Sequence, residues 1–459
     1  MLDYLLQLLK FLWSWIVSSI FGPVITMDDS GIRVRCQNQI AEGGFSVIFL
    51  ATDLDSSPNK YVLKRIRCHD SESRSACVKE SKVHYAMQKK QRQQYQKNGG
   101  GIISAGGGGS GGGIPGTTTE SINDSLSSHF MPLLGTTFCE NNTVCYMLFP
   151  YISHSLRKEV DRRIFQPFEE VTNGNRSTMV SQSQKNKNIK DALIMPPWSE
   201  TVVLRWFEQL IDAVILMHDA GYTHRDIKID NVLLHPEPPA NNNYNSSNSN
   251  NSQSGPGPIL MDFGSAGPLT RPITTRRDVL NIADDAAINT TISYRPPELF
   301  AGELRVADST AISSSTSTGS NDDDVNHELV LDYRKVDVWM LGCTLFAILF
   351  GASPGEVEFS RSTGKLIIVD PSHNKVLGPI PWPNDETPPA YWYSKDVKEL
   401  LEWILTQSRC DRPTVKQVRV RVRELLSQQP TFFHDGDVRM ATDIENQQMD
   451  ISYATKNIL

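Results

Sequence analysis

Hydrophobic and polar positions divide the chain into a strand-like first part and a helical second part. Short alternating segments flank Gly44, and residues 61–66 and 144–150 form further apolar runs typical of strands. From Ser199 the apolar positions follow the period of a helix that ends at Gly221. The residues on its apolar face are Val203, Phe207, Leu210, Val214 and Met217. A second apolar helix is predicted from about Val336 to Phe350. A small sheet followed by a larger helical part predicts an α+β fold with two lobes.

Low-complexity stretches interrupt this pattern without ending it. Residues 99–116 are mostly glycine, and residues 239–254 are mostly Asn and Ser. Such segments cannot bury enough apolar surface to offset the entropy lost on ordering. We therefore interpret them as insertions in one catalytic domain spanning residues 36–428, followed by a polar tail at 429–459. The predicted insertions cover about residues 91–128, 170–191, 236–257 and 303–328.

The first 25 residues form a separate hydrophobic segment. Its polar residues, Asp3, Gln7, Lys10, Ser14 and Ser18, recur every three or four positions and so share one stripe of a helix. The apolar runs are shorter than the roughly 20 residues that span a bilayer. We predict a helix over residues 1–25 that lies in the membrane interface. The alternative is a helix that packs on the domain itself.

Composition excludes some functional classes. The net charge of −7 argues against a nucleic-acid binder, which usually carries a basic face. The seven cysteines show no zinc-binding spacing, and we predict that they are reduced thiols, mostly buried.

Three residues after the first predicted helix carry candidate chemistry. Asp226, Lys228 and Asn231 lie within six positions and supply a carboxylate, a cation and a metal-binding amide. Asp262 follows a short apolar run and could chelate Mg²⁺. A base, a cation and metal ligands in this order are what phosphoryl transfer from ATP requires.

The chain resembles the eukaryotic protein kinases, and its details are similar to the Numb-associated kinase group. Within that group it resembles the lipid-anchored, Golgi-associated branch of myristoylated and palmitoylated serine/threonine kinases. The motifs that carry the resemblance span residues 42–46, 63–69, 224–231, 260–264, 291–300 and 337–343. The resemblance as a whole covers most of the structured chain but none of the insertions.

The resemblance implies roles for individual residues. Asp226 would orient the acceptor hydroxyl and take its proton, and Lys228 would neutralise the γ-phosphate. Lys64 would contact the α- and β-phosphates, with Glu80 as its ion-pair partner. Asn231 and Asp262 would hold Mg²⁺, or Mn²⁺ in its place. The positions matching the ATP-binding residues of the family are Ala41, Glu42, Gly43, Gly44, Ile48, Val62, Lys64, Phe149, Tyr151 and Ile152. Phe149 falls at the gatekeeper position, and residues 150–152 form the hinge whose backbone would pair with adenine.

Two further matches follow from the resemblance. Glu298 and Arg412 match a buried ion pair with a structural role. The long segment between Asp262 and Glu298 matches an activation segment with an extra helix, ordered by packing. Phosphorylation of that segment need not be required, although Arg225 could pair with a phosphate on Thr290 or Ser293.

The expected substrates are Ser and Thr hydroxyls of proteins, because Thr291 lies where serine/threonine kinases place a threonine near the catalytic loop. The glycine-rich loop departs from the family pattern, with Ala41 and Ser46 replacing two glycines. This departure leaves a membrane-tethered pseudokinase scaffold as the main alternative. A small-molecule or lipid kinase is disfavoured by Pro297-Glu298 and the Thr291 pattern.

The family's myristoylation route requires glycine at position 2, where this chain has leucine. We expect the hydrophobic helix to replace the lipid. The expected location is the cytoplasmic side of an endomembrane, the Golgi or a related one, or the cytoplasm.

Overall fold

A computed structural model gives the structure of the protein. It describes residues 22–43, 46–55, 59–97, 129–164, 198–235, 257–300, 329–359, 366–370, 380–382 and 393–428. The predicted insertions at 170–191 and 303–328 and the tail at 429–459 lie outside the described residues, as do residues 98–128 and 236–256 of the other two insertions. So do residues 1–21 of the predicted membrane helix.

The N-terminal lobe is built on a six-stranded antiparallel sheet with the order β1-β2-β3-β4-β6-β5. Its strands are β1 (Val24–Thr26), β2 (Arg33–Glu42), β3 (Ser46–Asp53), β4 (Lys60–Arg67), β5 (Gly135–Cys139) and β6 (Val144–Pro150). β6 is buried along its whole length because helix α1 (Ser71–Lys97) packs on the sheet. This lobe therefore presents β3, β4 and β6 beside α1, which is where the ATP-binding residues were predicted.

The C-terminal lobe is mainly helical. Its helices are α2 (Leu156–Ile164), α3 (Glu200–Asp219), α4 (Arg276–Asn289), α5 (Tyr333–Phe350), α6 (Lys395–Ile404) and α7 (Val415–Gln428). Short strand pairs accompany them: β7 (Tyr222–Thr223) with β10 (Gly267–Pro268), β8 (Val232–Leu234) with β9 (Pro258–Leu260), β11 (Thr270–Ile273) with β12 (Leu329–Asp332), and β13 (Val357–Phe359) with β14 (Leu366–Ile368).

Helices α3 and α5 form the centre of this lobe. Both bury long apolar faces in one continuous core, which is why their periodicity was visible in the sequence. α3 starts after Ser199, although the Ser199 side chain makes no capping hydrogen bond. α5 ends at Gly351, whose φ of 93° is the left-handed conformation that glycine adopts without strain. The predicted α+β, two-lobed fold is confirmed.

Two predicted boundaries are wrong. Val24 and Ile25 lie in strand β1, not in the hydrophobic helix, because Gly22 and Pro23 end the helical pattern and Ile25 packs in the sheet core. The catalytic domain therefore begins near residue 24 and not at 36. Helix α1 continues to Lys97, into the insertion predicted at 91–128. Its last turns are rich in Gln, Lys and Arg, which are strong helix formers without an apolar face to signal them.

The cysteines match their prediction. All seven are free thiols, and the buried ones are Cys36, Cys68, Cys77, Cys145 and Cys343. No helix in the described part of the chain has the length and apolarity needed to span a bilayer.

Candidate active site

The catalytic loop connects β7 to β8 and is held by a buried carboxylate. Asp337 of α5 accepts hydrogen bonds from the backbone N–H of His224 at 2.9 Å and of Arg225 at 2.8 Å. The same carboxylate lies 2.8 Å from Nε2 of His218. Asp337 was not among the predicted site residues. Its signal was a charged residue inside an otherwise apolar, buried helix, because such a carboxylate must have partners.

The three loop residues that the sequence singled out are brought together. Asp226 Oδ2 lies 2.9 Å from Nζ of Lys228 and accepts a hydrogen bond from Asn231 Nδ2 at 3.0 Å. Thr291 comes from the activation segment and closes the cluster. Its hydroxyl donates to Asp226 Oδ1 at 2.6 Å and accepts from Lys228 Nζ at 2.6 Å. The predicted contact of Thr291 with both residues is therefore confirmed.

Across the cleft, Lys64 joins the two lobes. Its ammonium lies 2.7 Å from Glu80 Oε1 of α1 and 2.8 Å from Asp262 Oδ1. Burial alone would lower the pKa of Lys64, but the two carboxylates outweigh it and raise the pKa. The charge of Lys64 holds the pKa of Asp262 well below its usual range. The predicted Lys64–Glu80 pair is thus present, and Lys64 and Asp262 are both held in their charged forms.

Phe263 fixes the direction of Asp262. Its ring is buried, with its centroid 4.5 Å from that of His84 on α1 and 5.6 Å from that of His224. Asp262 itself adopts a φ of 66°, in the left-handed region, which turns its carboxylate towards Lys64 while Phe263 points into the core. His224 also bonds the carbonyl of Met261 at 3.1 Å, which braces the catalytic loop against the residue before Asp262.

The predicted metal ligands are neighbours. The N–H of Met261 donates to the carbonyl of Asn231 at 3.0 Å, so the residue before Asp262 is paired directly with Asn231. A carboxylate and an amide oxygen are hard ligands, and a site with few protein ligands suits Mg²⁺ that is also held by substrate phosphates. The Asp262 carboxylate is about half exposed on the cleft side, with 45% of its surface accessible. These residues fit a Mg²⁺ ion.

The adenine-side residues share one face of the sheet. Val62 pairs with Phe149, and Ile48 pairs with Lys64, so the four side chains project to the same side. The N–H of Tyr151 donates to the carbonyl of Lys60 at 3.3 Å. Because Pro150 has no N–H, an N–H offered to a base by this hinge would come from Ile152.

The glycine-rich loop is described on both sides of its tip. Ala41 and Glu42 end β2, and the N–H of Gly43 donates to the carbonyl of Ser46 at 2.8 Å, which closes the turn. Gly44 lies outside the described residues. The roles of all these residues in binding ATP remain predictions.

The activation segment departs from one prediction. Arg225 pairs with Asp285 of α4, with 2.7 Å between Nη1 and Oδ2, and not with a site for a phosphate at Thr290 or Ser293. Both hydroxyl residues are buried and already bonded. Thr290 donates to the carbonyl of Ala286 at 2.6 Å, and Ser293 donates to Glu356 at 2.9 Å. The extra helix itself is present as α4, and it buries Val279, Ile282 and Ala286.

Glu298 and Arg412 form the predicted structural pair. Arg412 Nη1 and Nη2 donate to the two carboxylate oxygens of Glu298 at 2.7 and 2.9 Å, and both residues are buried. This bidentate ion pair fixes the end of the activation segment to the loop before α7.

Comparison with known proteins identifies the class. The chain is 23% identical over 378 residues to serine/threonine-protein kinase 16 of Rattus norvegicus, covering 82% of this chain and 85% of that protein. It is 22% identical over 406 residues to serine/threonine-protein kinase ppk13 of Schizosaccharomyces pombe, covering 85% of this chain and 90% of that protein. The chain is a serine/threonine protein kinase.

Two further comparisons describe the extent of the similarity. The kinase is 23% identical over 424 residues to a probable serine/threonine-protein kinase of Dictyostelium discoideum, where the match covers 92% of this chain and 27% of that protein's length. Vaccinia related kinase 3 superposes with a TM-score of 0.47 at 11% identity, covering 91% of this chain and 95% of that one. No family model matches the kinase.

Proposed function

We propose that the kinase transfers the γ-phosphate of ATP to Ser and Thr hydroxyls of proteins while it is held at a membrane surface on the cytosolic side. The observation that carries the catalytic part is the cluster of Asp226, Lys228 and Thr291, in which one hydroxyl bridges the carboxylate and the ammonium at 2.6 Å each. That hydroxyl stands in an acceptor-like position beside the candidate base.

The residues divide the chemistry between them. Asp226 would accept the proton of the incoming hydroxyl as the new P–O bond forms and the bond to ADP breaks. Lys228 would offset charge on the transferred phosphoryl group, and Lys64, held by Glu80, would position the other phosphates. Asn231 and Asp262 would hold Mg²⁺, which when bound supplies positive charge to the β- and γ-phosphates.

Substitution of Asp226 tests this function. Asp226→Asn keeps the side-chain shape and removes the carboxylate, so we expect phosphoryl transfer to a Ser/Thr peptide array to fall below detection. ATP binding and the unfolding midpoint should stay close to wild type. Lys64→Met should also be inactive, whereas Asp219→Asn, a surface carboxylate paired with Lys416, should behave as wild type. Equal ³²P incorporation by wild type and Asp226→Asn would favour the pseudokinase scaffold.

The kinase group and the membrane location are proposed from the sequence. Motifs such as Glu42-Gly43-Gly44-Phe45-Ser46 support placement in the Numb-associated kinase group. The stripe of polar residues in residues 1–21 supports an interfacial membrane helix, and with it a location on the cytoplasmic side of the Golgi or a related endomembrane. Deletion of residues 2–21 tests this attachment.

A further inference from the structure

The Arg225 guanidinium is a buried cation with little freedom. Arg225 is 5% exposed and its φ is 66°. Its Nε donates to the carbonyl of Ser265 at 2.7 Å, and the guanidinium lies 5.2 Å from the centre of the Tyr333 ring. A Cβ at Gly267 would come within 2.9 Å of the guanidinium carbon, so any other residue there would require the guanidinium to move. A cation held in this way needs an anionic partner, because an unpaired buried charge is strongly destabilising.

That partner is supplied by the activation segment itself. Asp285 Oδ2 lies 2.7 Å from Arg225 Nη1, and Asp285 Oδ1 accepts a hydrogen bond from Asn289 Nδ2 at 2.9 Å. Both carboxylate oxygens are therefore engaged, and the side chain remains only 30% exposed. Helix α4 brings Asp285 to this place through its own packing and through a capping box between Thr275 and Asp278.

The charges of Arg225 and Asp285 also influence helix α1, which carries Glu80. Burial and the positive charge of Arg225 lower the pKa of Lys79 on α1, while the negative charge of Asp285 acts in the opposite direction. Removal of Asp285 would leave the like charges of Arg225 and Lys79 without the negative charge that offsets their repulsion. The charges of the catalytic loop and of the activation segment thus act on α1 as well as on each other.

The activation segment reaches the catalytic loop shortly after this carboxylate. Thr291, six positions after Asp285, bonds Asp226 and Lys228 directly. In many kinases a phosphate added to this segment pairs with arginine and orders it. Here the corresponding arginine is occupied, and Thr290 and Ser293 are buried.

We infer that Asp285 is a positioning residue that replaces an activation-segment phosphate, so that the kinase is active without phosphorylation of residues 262–298. The inference rests on the proposed function, and it makes Asp285 act through Arg225 and Thr291, without contact with either substrate.

Full-length variants test it. Asp285→Asn keeps the shape of the side chain and removes its charge, and we expect kcat on a serine/threonine peptide to fall about 10- to 100-fold, as when a catalytic group is slightly misplaced. KM for ATP should change little. Asp285→Glu should recover most of kcat. The matched control is Asp284→Asn, because Asp284 is the neighbouring, exposed carboxylate of the same helix. Wild type treated with a broad-specificity protein phosphatase should keep its kcat.

Amide hydrogen exchange of residues 276–298 gives a readout independent of activity. Exchange should accelerate in Asp285→Asn and not in Asp284→Asn. If Asp285→Asn misfolds, Asn289→Ala, which removes the second hydrogen bond to Asp285, should give a smaller change in the same direction. Unchanged kcat and exchange in Asp285→Asn would overturn the inference, as would loss of wild-type kcat after phosphatase treatment. A wild type without any phosphoryl transfer would contradict the proposed function, and the exchange data would still decide the role of Asp285.

Discussion

Single hydroxyls and carboxylates determine the geometry of this site. Thr291 donates to Asp226 and accepts from Lys228, so one side chain ties the activation segment to the catalytic loop. The sequence indicated this contact through the position of Thr291 before Glu298. A carboxylate in the apolar helix α5 signalled that Asp337 has partners, but the sequence did not indicate that these are the backbone N–H groups of His224 and Arg225. Contacts to backbone groups leave no pattern in the side chains of their partner, so they are hard to predict from sequence.

The Thr291 hydroxyl can be tested separately from the residues it bonds. Thr291→Val keeps the shape and removes both hydrogen bonds, and we expect kcat to fall about 10- to 100-fold because Asp226 loses its fixed position. Thr291→Ser should keep most of the activity. Initial rates at varied ATP and peptide concentrations check this. Equal kcat values for Thr291→Val and wild type would show that the bridge is dispensable.

His84 should make stability depend on pH. Its ring is buried and its Nδ1 bonds the carbonyl of Met131 at 3.2 Å. Burial lowers the pKa of His84 to about 3. The ionisable groups around the ring are Lys64, Glu80, Asp262 and His224. Below pH 6.5 the unfolded chain binds a proton that the folded chain cannot, so this residue destabilises the fold as the pH falls from 6.5 towards 3.

We therefore expect His84→Gln to reduce the acid sensitivity of the kinase. One proton changes the free energy of unfolding by at most about 1.4 kcal/mol per pH unit. We expect this contribution to be absent from the variant between pH 6.0 and 5.0. Urea unfolding of both proteins at the two pH values measures it. His69, an exposed histidine, provides the control, and His69→Gln should keep the wild-type slope. If the free energy of unfolding fell equally with pH in His84→Gln and in wild type, His84 would not be the source of the acid sensitivity.

Elements with a strong apolar period were predictable, and elements defined by polar residues were not. β6 matches its predicted range, Val144–Pro150, and α3 and α5 were recognised from their buried faces. The last turns of α1 were assigned to an insertion because residues 91–97 are almost entirely polar. The role of Asp285 was missed for a related reason. Two adjacent acids on a helix give no indication of which one faces a buried arginine.

The Glu298–Arg412 pair links the activation segment to the loop before α7 and should support the C-terminal lobe. Glu298→Gln leaves the guanidinium of Arg412 buried without its counter-charge, and we expect a loss of about 3–5 kcal/mol in the free energy of unfolding. Chemical denaturation measures this loss. The control, Glu399→Gln, breaks the exposed pair with Lys395 and should cost less than about 0.5 kcal/mol. Similar losses of unfolding free energy in Glu298→Gln and Glu399→Gln would show that the buried pair is no more important for stability than the exposed one.

For the whole molecule, the structure locates the boundary between the proposed membrane segment and the catalytic domain. Deletion of residues 2–21 should move the kinase from the membrane to the soluble fraction without changing kcat. Deletion of residues 2–25 also removes Val24 and Ile25 from the sheet, and loss of the buried Ile25 should cost about 2–5 kcal/mol of stability.

Cell fractionation with a carbonate wash, followed by kinase assays on both fractions, checks these deletions. Replacement of Leu9, Leu12 and Ile16 with Asp should release the kinase as the shorter deletion does. Continued pelleting of the 2–21 deletion with membranes would place the anchor elsewhere. Aggregation of that deletion would favour the alternative in which the helix packs on the domain.

The connection at Gly22 and Pro23 would limit how far the catalytic domain lies from the membrane in the proposed attachment. Two residues separate residues 1–21 from β1, and they span no more than about 7 Å. With residues 1–21 in the membrane interface, the sheet would be held close to the bilayer. The cleft between the lobes would then reach only proteins near that membrane. Substrates on the same membrane would then meet the cleft at a high effective concentration, and soluble proteins would not share that advantage. Lengthening this connection with a Gly/Ser spacer would thus redirect phosphorylation from proteins on the same membrane towards soluble ones.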